Sequence, residues 1–249
     1  MVKIDWSDAY KHVGVCPEDT DLQWFSWLGK CFKETSLVFG CASSAGIYDR
    51  LAKLVLYIVI KRANFDPNRV SQYLDDCVAC SKDFQELSFF DKTYSEVAEY
   101  VGVKLAPRDD PEKSFAPSTS GTVLGIHYDT VDWTWSIPED KLLRLLHSIK
   151  LAMNSDFLRQ DEIWSLAGKI QHYKLLVPTA KFNLDEIIAS MNLSVDKHQL
   201  VPVSAGLKRQ LFFWFSMLRV CTGRTSIPNL DSPLPPWTRD FYTDAAGGS

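Results

Sequence analysis

The chain has 249 residues, 46% of them hydrophobic and 23% charged, with a net charge of −4. This is an ordinary globular composition, enough to bury one large core or two small ones. No run approaches the roughly 18 uninterrupted apolar residues of a membrane span, no signal-peptide core follows Met1, and the acidic balance counts against a self-sufficient nucleic-acid binder.

Residues 2–6 read as a buried strand that needs neighbours to cover it. Ser7 is the expected N-cap of a short helix behind it. Residues 22–27 and 30–33, flanking Leu28 and Gly29, spell an aromatic-rich hairpin. Residues 43–63 are helical in pattern, with Ile47, Leu51, Leu54, Val55, Ile58 and Val59 forming the apolar stripe. Pro67 closes the segment that ends that helix. Residues 70–73 and 77–80 are β-prone runs joined by Leu74, Asp75 and Asp76 as the turn. Residues 84–100 read as an amphipathic helix, with Leu87, Phe90, Tyr94, Val97 and Val101 on one face and Gly102 as its stop.

Residues 107–121 form a polar loop that contains Lys113. Residues 122–128 and 133–137 are expected to pair as a second hairpin around residues 129–132. From Pro138, expected at the first helical position, the chain reads as all-helical: residues 138–153, 161–176, 183–191 and 205–220. Residues 226–237 carry the prolines of a linker, and residues 241–244 read as the first strand of something further.

The six cysteines are scattered and are expected to be reduced thiols, several of them in the core. Cys77 and Cys80 have no second pair to complete a zinc site. The five histidines include no metal-type pair.

The chemistry rests on carboxylates. Asp5 ends the first strand, with Asp8 close behind it, and Asp75 and Asp76 sit side by side at a hairpin tip. A hairpin tip with two aspartates is a solvated turn or a cation site. Three carboxylates brought together cannot all stay ionised without cations. Hard ions such as Mg²⁺ take one or two carboxylates and leave places for substrate phosphates. Two such ions about 3.5–4 Å apart suit in-line nucleotidyl transfer.

The order of the motifs points the same way. Val2-Lys3-Ile4-Asp5-Trp6-Ser7-Asp8-Ala9-Tyr10, then Phe39-Gly40 through Tyr48, then Gln72-Tyr73-Leu74-Asp75-Asp76 resemble motifs A, B and C of retroelement reverse transcriptases. Val123-Leu124-Gly125-Ile126 resembles the primer grip, and Lys113 resembles the lysine of motif D. The stretch from Ser165 to Tyr173 resembles a thumb helix of gypsy-like and DIRS-like elements, and that from Phe241 to Gly247 the first strand of a tethered RNase H.

The resemblance implies an α+β fold: a right-hand polymerase palm over residues 1–137, a helical thumb and connection over 138–225, a linker over 226–237 and the start of RNase H over 238–249. It implies RNA-directed DNA polymerase activity with two Mg²⁺ ions, Mn²⁺ being able to substitute. Asp5, Asp75 and Asp76 would hold the metal, with Lys113 as the general acid toward pyrophosphate. Trp6, Asp8, Ala9, Tyr10, Phe39 and Gly40 would surround the nucleotide, Tyr10 acting as a steric gate against a 2′-hydroxyl. Leu124, Gly125 and Ile126 would grip the primer, and Asp244 would be a remnant RNase H carboxylate. Partners would be an RNA template, a DNA primer and deoxynucleoside triphosphates, with no membrane, in the cytoplasm or nucleus. The family's fingers subdomain precedes motif A and would come from flanking polyprotein. The alternative is a catalytically inactive remnant that binds nucleic acid or protein. Taken singly, Tyr10 also reads as a packed aromatic, Lys113 as a solvated loop lysine and Phe39-Gly40 as a turn. Trp133 and Trp135 suit a nucleic-acid face and core or thumb packing about equally.

Overall fold

A computed structural model describes residues 1–177, 183–221 and 224–227. The first half is built on a three-stranded antiparallel sheet in the order β1 (Val2–Ile4), β5 (Asp76–Ala79), β4 (Val70–Tyr73). Its inner face is Val2, Ile4, Cys77 and Ala79, all fully buried. Two helices cover that face, α1 (Ser44–Ala63) and α2 (Phe84–Val101). The expected arrangement of small sheet and covering helices holds. Phe65, Phe90 and Tyr94 fill the space between, and burying each such aromatic contributes about 1.5–3 kcal/mol.

The buried stripe of α1 is Tyr48, Ala52, Val55, Leu56, Val59 and Ala63. It is rotated from the stripe read in the sequence, since Ile47 and Leu54 are exposed. The helix is apolar on more than one side, so periodicity alone does not fix which side faces the sheet. Helix α1 ends at Asn64 in the left-handed region, and α2 ends at Gly102 in the same region, as its sequence signal predicts.

The outer edge of β1 is not left open. Lys3 bridges Phe115, and the N-terminal ammonium donates to the Ser118 carbonyl at 2.7 Å. The neighbours that strand requires are therefore β5 and the loop after α2. Ser7 does not cap the next helix. Its N–H goes to the Lys104 carbonyl at 2.9 Å, and the short 3₁₀ helix Ala9–His12 starts after Asp8. Asp8 sits at φ 53°, where its side chain makes no capping bond.

The aromatic hairpin is present as β2 (Trp24–Trp27) and β3 (Lys30–Lys33), with Leu28 and Gly29 both at positive φ. The second hairpin differs. Residues 122–128 are not one strand: β6 (Ser120–Val123) turns at Leu124 and Gly125 into β7 (Ile126–Asp129), which pairs with β8 (Thr134–Ser136). Gly125, at φ 78°, supplies the turn that the apolar run conceals.

The second half packs α3 (Glu139–Asn154), α4 (Gln160–Tyr173), α5 (Asp185–Met191) and α6 (Ala205–Cys221) around Leu145, Ile149, Ile170, Leu211 and Trp214. Pro138 occupies the N-cap of α3 rather than its first turn. This half is not all-helical. Strand β9 (Phe157–Arg159) pairs with β10 (Leu200–Pro202), and β11 (Arg224–Ser226) pairs with β8. These strands are three residues each and pair across long sequence separations, which leaves no periodic signal. Ser226 closes β11, and the Ile227 N–H donates to the Trp133 carbonyl, so the expected linker does not begin at 226. Its remainder, and the stretch holding Phe241 and Asp244, lie outside the described residues.

Of the five cysteines whose side chains are described, only Cys77 is buried, against the expectation of several core thiols. Among the described residues no helix is long and apolar enough to cross a membrane.

Candidate active site

Asp5 follows the last residue of β1. The register Lys3↔Val78 and Ile4↔Cys77 continues so that Asp5 meets Asp76, the first residue of β5. Side chains alternate across a strand, so Lys3, Asp5, Asp76 and Val78 share the outer face while Ile4 and Cys77 point to the helices. Tyr73 pairs with Asp76, which leaves Leu74 and Asp75 alone as the turn. Asp76 thus belongs to the strand rather than the turn read in the sequence. Leu74 takes the positive φ, 52°, that the tight turn demands.

These connections bring the carboxylates to one corner of the sheet. Burial pushes the Asp5 carboxyl up to about 6, Asp75 and Asp76 add to the rise, and Lys3 and Lys113 oppose it. Asp5 Oδ1 is buried with no hydrogen-bond partner among the described protein groups. Its backbone is fixed on both sides: the N–H donates to Ser114 Oγ at 3.0 Å, and the carbonyl accepts from the Ala106 N–H at 2.8 Å.

Lys113 lies on the exposed part of the same loop, one residue before the fully buried Ser114. Arg108 holds this loop in place by donating to the Lys3 carbonyl at 2.7 Å and pairing with Asp91.

The aromatic residues around the corner form one connected group. The Trp6 indole is 2% exposed and stands edge-on to Tyr48 at 5.4 Å. Tyr48 meets Tyr10 at 5.4 Å, and Tyr10 meets Phe39 at 4.7 Å. Ala9 is buried beneath Tyr10, while Asp8 is exposed. Phe39 is 84% exposed, and Gly40 beside it sits at φ 91°. The group therefore runs from the core through Tyr10 to an open aromatic edge.

The primer-grip-like residues divide. Leu124 lines a cleft of about 280 Å³ with Met1, Ser71, Asp76 and Val78, which brings it to the carboxylate face. Gly125 turns the other way, toward α4: its carbonyl accepts from the Tyr173 hydroxyl at 3.5 Å. Ile126 packs on the helical core. Trp135 also packs on that core, and Trp133 is exposed at φ 55° in the turn.

Sequence reasoning missed Lys3, Ser114 and Tyr48. Alternation on β1 puts Lys3 on the face of Asp5, but nothing in the sequence shows that the loop through Glu112 and Phe115 covers it. Ser114 carries no local signal, and Tyr48 lies inside the motif of residues 39–48 without being marked out in it, since only the tertiary fold brings both to the corner.

The donor set suits a hard divalent cation. All of it is carboxylate oxygen, and Asp5 Oδ1 is unpartnered. Among the described residues no group of three or more His, Cys, Asp or Glu side chains is placed to hold a metal ion by itself.

No family model matches the sequence, and a search of curated proteins found no relative. Solved structures do match. The foamy viral protease-reverse transcriptase dRH in complex with double-stranded DNA aligns over 91% of this chain with a TM-score of 0.64 and 15% identity. The foamy viral protease-reverse transcriptase in complex with an RNA/DNA hybrid aligns over 91%, with a TM-score of 0.63 and 15% identity. The chain spans 36% and 27% of those two chains. The fold is thus reverse-transcriptase-like.

Proposed function

We propose that this chain carries the nucleotidyl-transfer site of a retroelement reverse transcriptase, of the gypsy-like or DIRS-like kind. One observation carries the reading: the end of β1 and the β4–β5 turn bring Asp5, Asp75 and Asp76 to a single open corner beside Tyr10 and Phe39. The fold supports it, and so do the neighbours, whose complexes contain double-stranded DNA and an RNA/DNA hybrid.

In this reading Asp5 and Asp75, with Asp76 beside them, would hold Mg²⁺, which would activate a primer 3′-hydroxyl and steady the leaving oxygen of the displacement. The chain's own residues do the rest. The half-buried Tyr10 ring, backed by Tyr48 and Phe39, serves as the gate against a 2′-hydroxyl. The Phe39 edge and the Gly40 backbone receive the deoxynucleotide. Lys113, exposed and close enough to act on Asp5, delivers a proton to the departing pyrophosphate. Leu124 aligns the primer from the facing turn. Template, primer and deoxynucleoside triphosphates are the partners, with fingers contributed by flanking polyprotein. Asp244 belongs to a following RNase H in this reading.

Primer extension on an RNA template tests it. Wild-type chain should add deoxynucleotides in the presence of Mg²⁺, and Tyr10→Ala should admit ribonucleotides. Folded wild-type protein that adds neither would contradict the reading and favour an inactive, binding-only remnant.

A further inference from the structure

The three carboxylates are not equivalent. Lys3 is 4% exposed on the sheet face that carries Asp5 and Asp76. Its Nζ lies 2.9 Å from Asp76 Oδ1 and donates to the Glu112 carbonyl at 2.7 Å. The backbone of Lys3 is held as firmly, by the paired bonds with Phe115 and by Arg108. A buried ammonium is costly unless a carboxylate and further acceptors take it up. Lys3 has both, and it has them at Asp76. Asp5, by contrast, keeps an unpartnered buried oxygen.

We propose that Lys3 is a positioning residue that takes Asp76 as its counter-ion and so leaves the divalent cation to Asp5 and Asp75. This rests on the nucleotidyl-transfer reading for the identity of the cation. The chain thereby supplies one of the cations that three neighbouring carboxylates need. Asp76 becomes an anchor for Lys3 and, through Glu112, for the loop that presents Lys113 and Ser114. The arrangement also keeps the site open, because two carboxylates leave more places for phosphate oxygens than three.

Mn²⁺ binding to the full chain, measured by calorimetry and by electron paramagnetic resonance, tests this without any need for polymerisation. Asp75→Asn and Asp5→Asn should each weaken Mn²⁺ by about a hundredfold or more, whereas Asp76→Asn, which removes no ligand but leaves the Lys3 charge unpaired, should weaken it by no more than about tenfold. Lys3→Gln frees Asp76 and should tighten Mn²⁺ by about tenfold, and that gain should vanish in the Lys3→Gln/Asp76→Asn double variant. Lys3→Arg keeps the charge and should bind as wild type does. Thermal melts establish which variants fold. If Lys3→Gln does not, Asp76→Asn decides. The proposal is overturned if Asp76→Asn weakens Mn²⁺ as much as Asp75→Asn, if Lys3→Gln leaves affinity unchanged or lowers it, or if folded wild-type chain binds no Mn²⁺. Binding in the expected pattern without primer extension would keep the Lys3 assignment and remove the polymerase reading. Extension with equal losses at Asp75 and Asp76 would do the reverse.

Discussion

The indole N–H of Trp6 donates to the hydroxyl of Tyr94 at 2.9 Å in the buried centre of the first core. The bond ties the residue after Asp5 to α2, so the position of the carboxylate depends on a helix far along the chain. Trp6→Phe removes both the bond and part of a fully packed side chain. It should destabilise the protein by about 2–4 kcal/mol in equilibrium urea unfolding. Tyr94→Phe leaves the indole N–H unpaired and should cost less, about 1–2 kcal/mol.

Tyr48 makes the opposite prediction. Its residue is fully buried and its hydroxyl has no hydrogen-bond partner among the described residues. Burial first, and the nearby Asp75 next, raise its pKa far above the ordinary value, so the hydroxyl stays neutral. An unpaired buried hydroxyl is a net cost. Tyr48→Phe should therefore stabilise the metal-free protein by about 1 kcal/mol, visible as a higher midpoint in thermal melts.

Gly125 is constrained twice. Its φ of 78° disfavours any side chain, and a Cβ there would stand 3.3 Å from His172 Nε2. Gly125→Ala should cost about 1–2 kcal/mol in urea unfolding. Adding His172→Ala should recover only the part due to the contact, because the backbone strain remains.

Asp5 sets a pH dependence. Its folded-state pKa is raised to about 6, above the ordinary carboxylate value, first by burial and then by Asp75 and Asp76. Between the ordinary value and about 6 the folded chain holds more protons than the unfolded one. The stabilisation is therefore full in acid and is lost as pH rises through about 6. Because Asp5 is partly solvated, the effect should be about 1 kcal/mol. Asp5→Asn should flatten this slope, as read from urea midpoints between pH 4 and 7. Divalent-cation binding, which needs the ionised carboxylate, should strengthen over the same interval.

Local signals carried much of this structure. The hairpin of β4 and β5, the two long helices and their Asn64 and Gly102 stops follow from turn chemistry and periodicity within a few residues of each other. The ordered motifs place Asp5 and Asp75, and the fold brings them together. What the sequence hid is non-local. Strands β9 and β10 pair residue 159 with residue 200, and β11 reaches back to β8. The Leu124–Gly125 turn is masked by apolar residues on both sides. Lys3 reads as an ordinary charged residue on a strand until its face is shown to be covered by the loop through Glu112 and Phe115.

Under the proposed function, the corner built from Asp5 and Asp75 transfers nucleotides. The most direct measurement is incorporation of a single deoxynucleotide on a primed RNA template with Mg²⁺, comparing wild type with Asp75→Asn, both verified as folded by circular dichroism. Wild type should add the templated deoxynucleotide, and Asp75→Asn should lose at least about a hundredfold. Equal addition by both, or none by wild type, would contradict the proposed function.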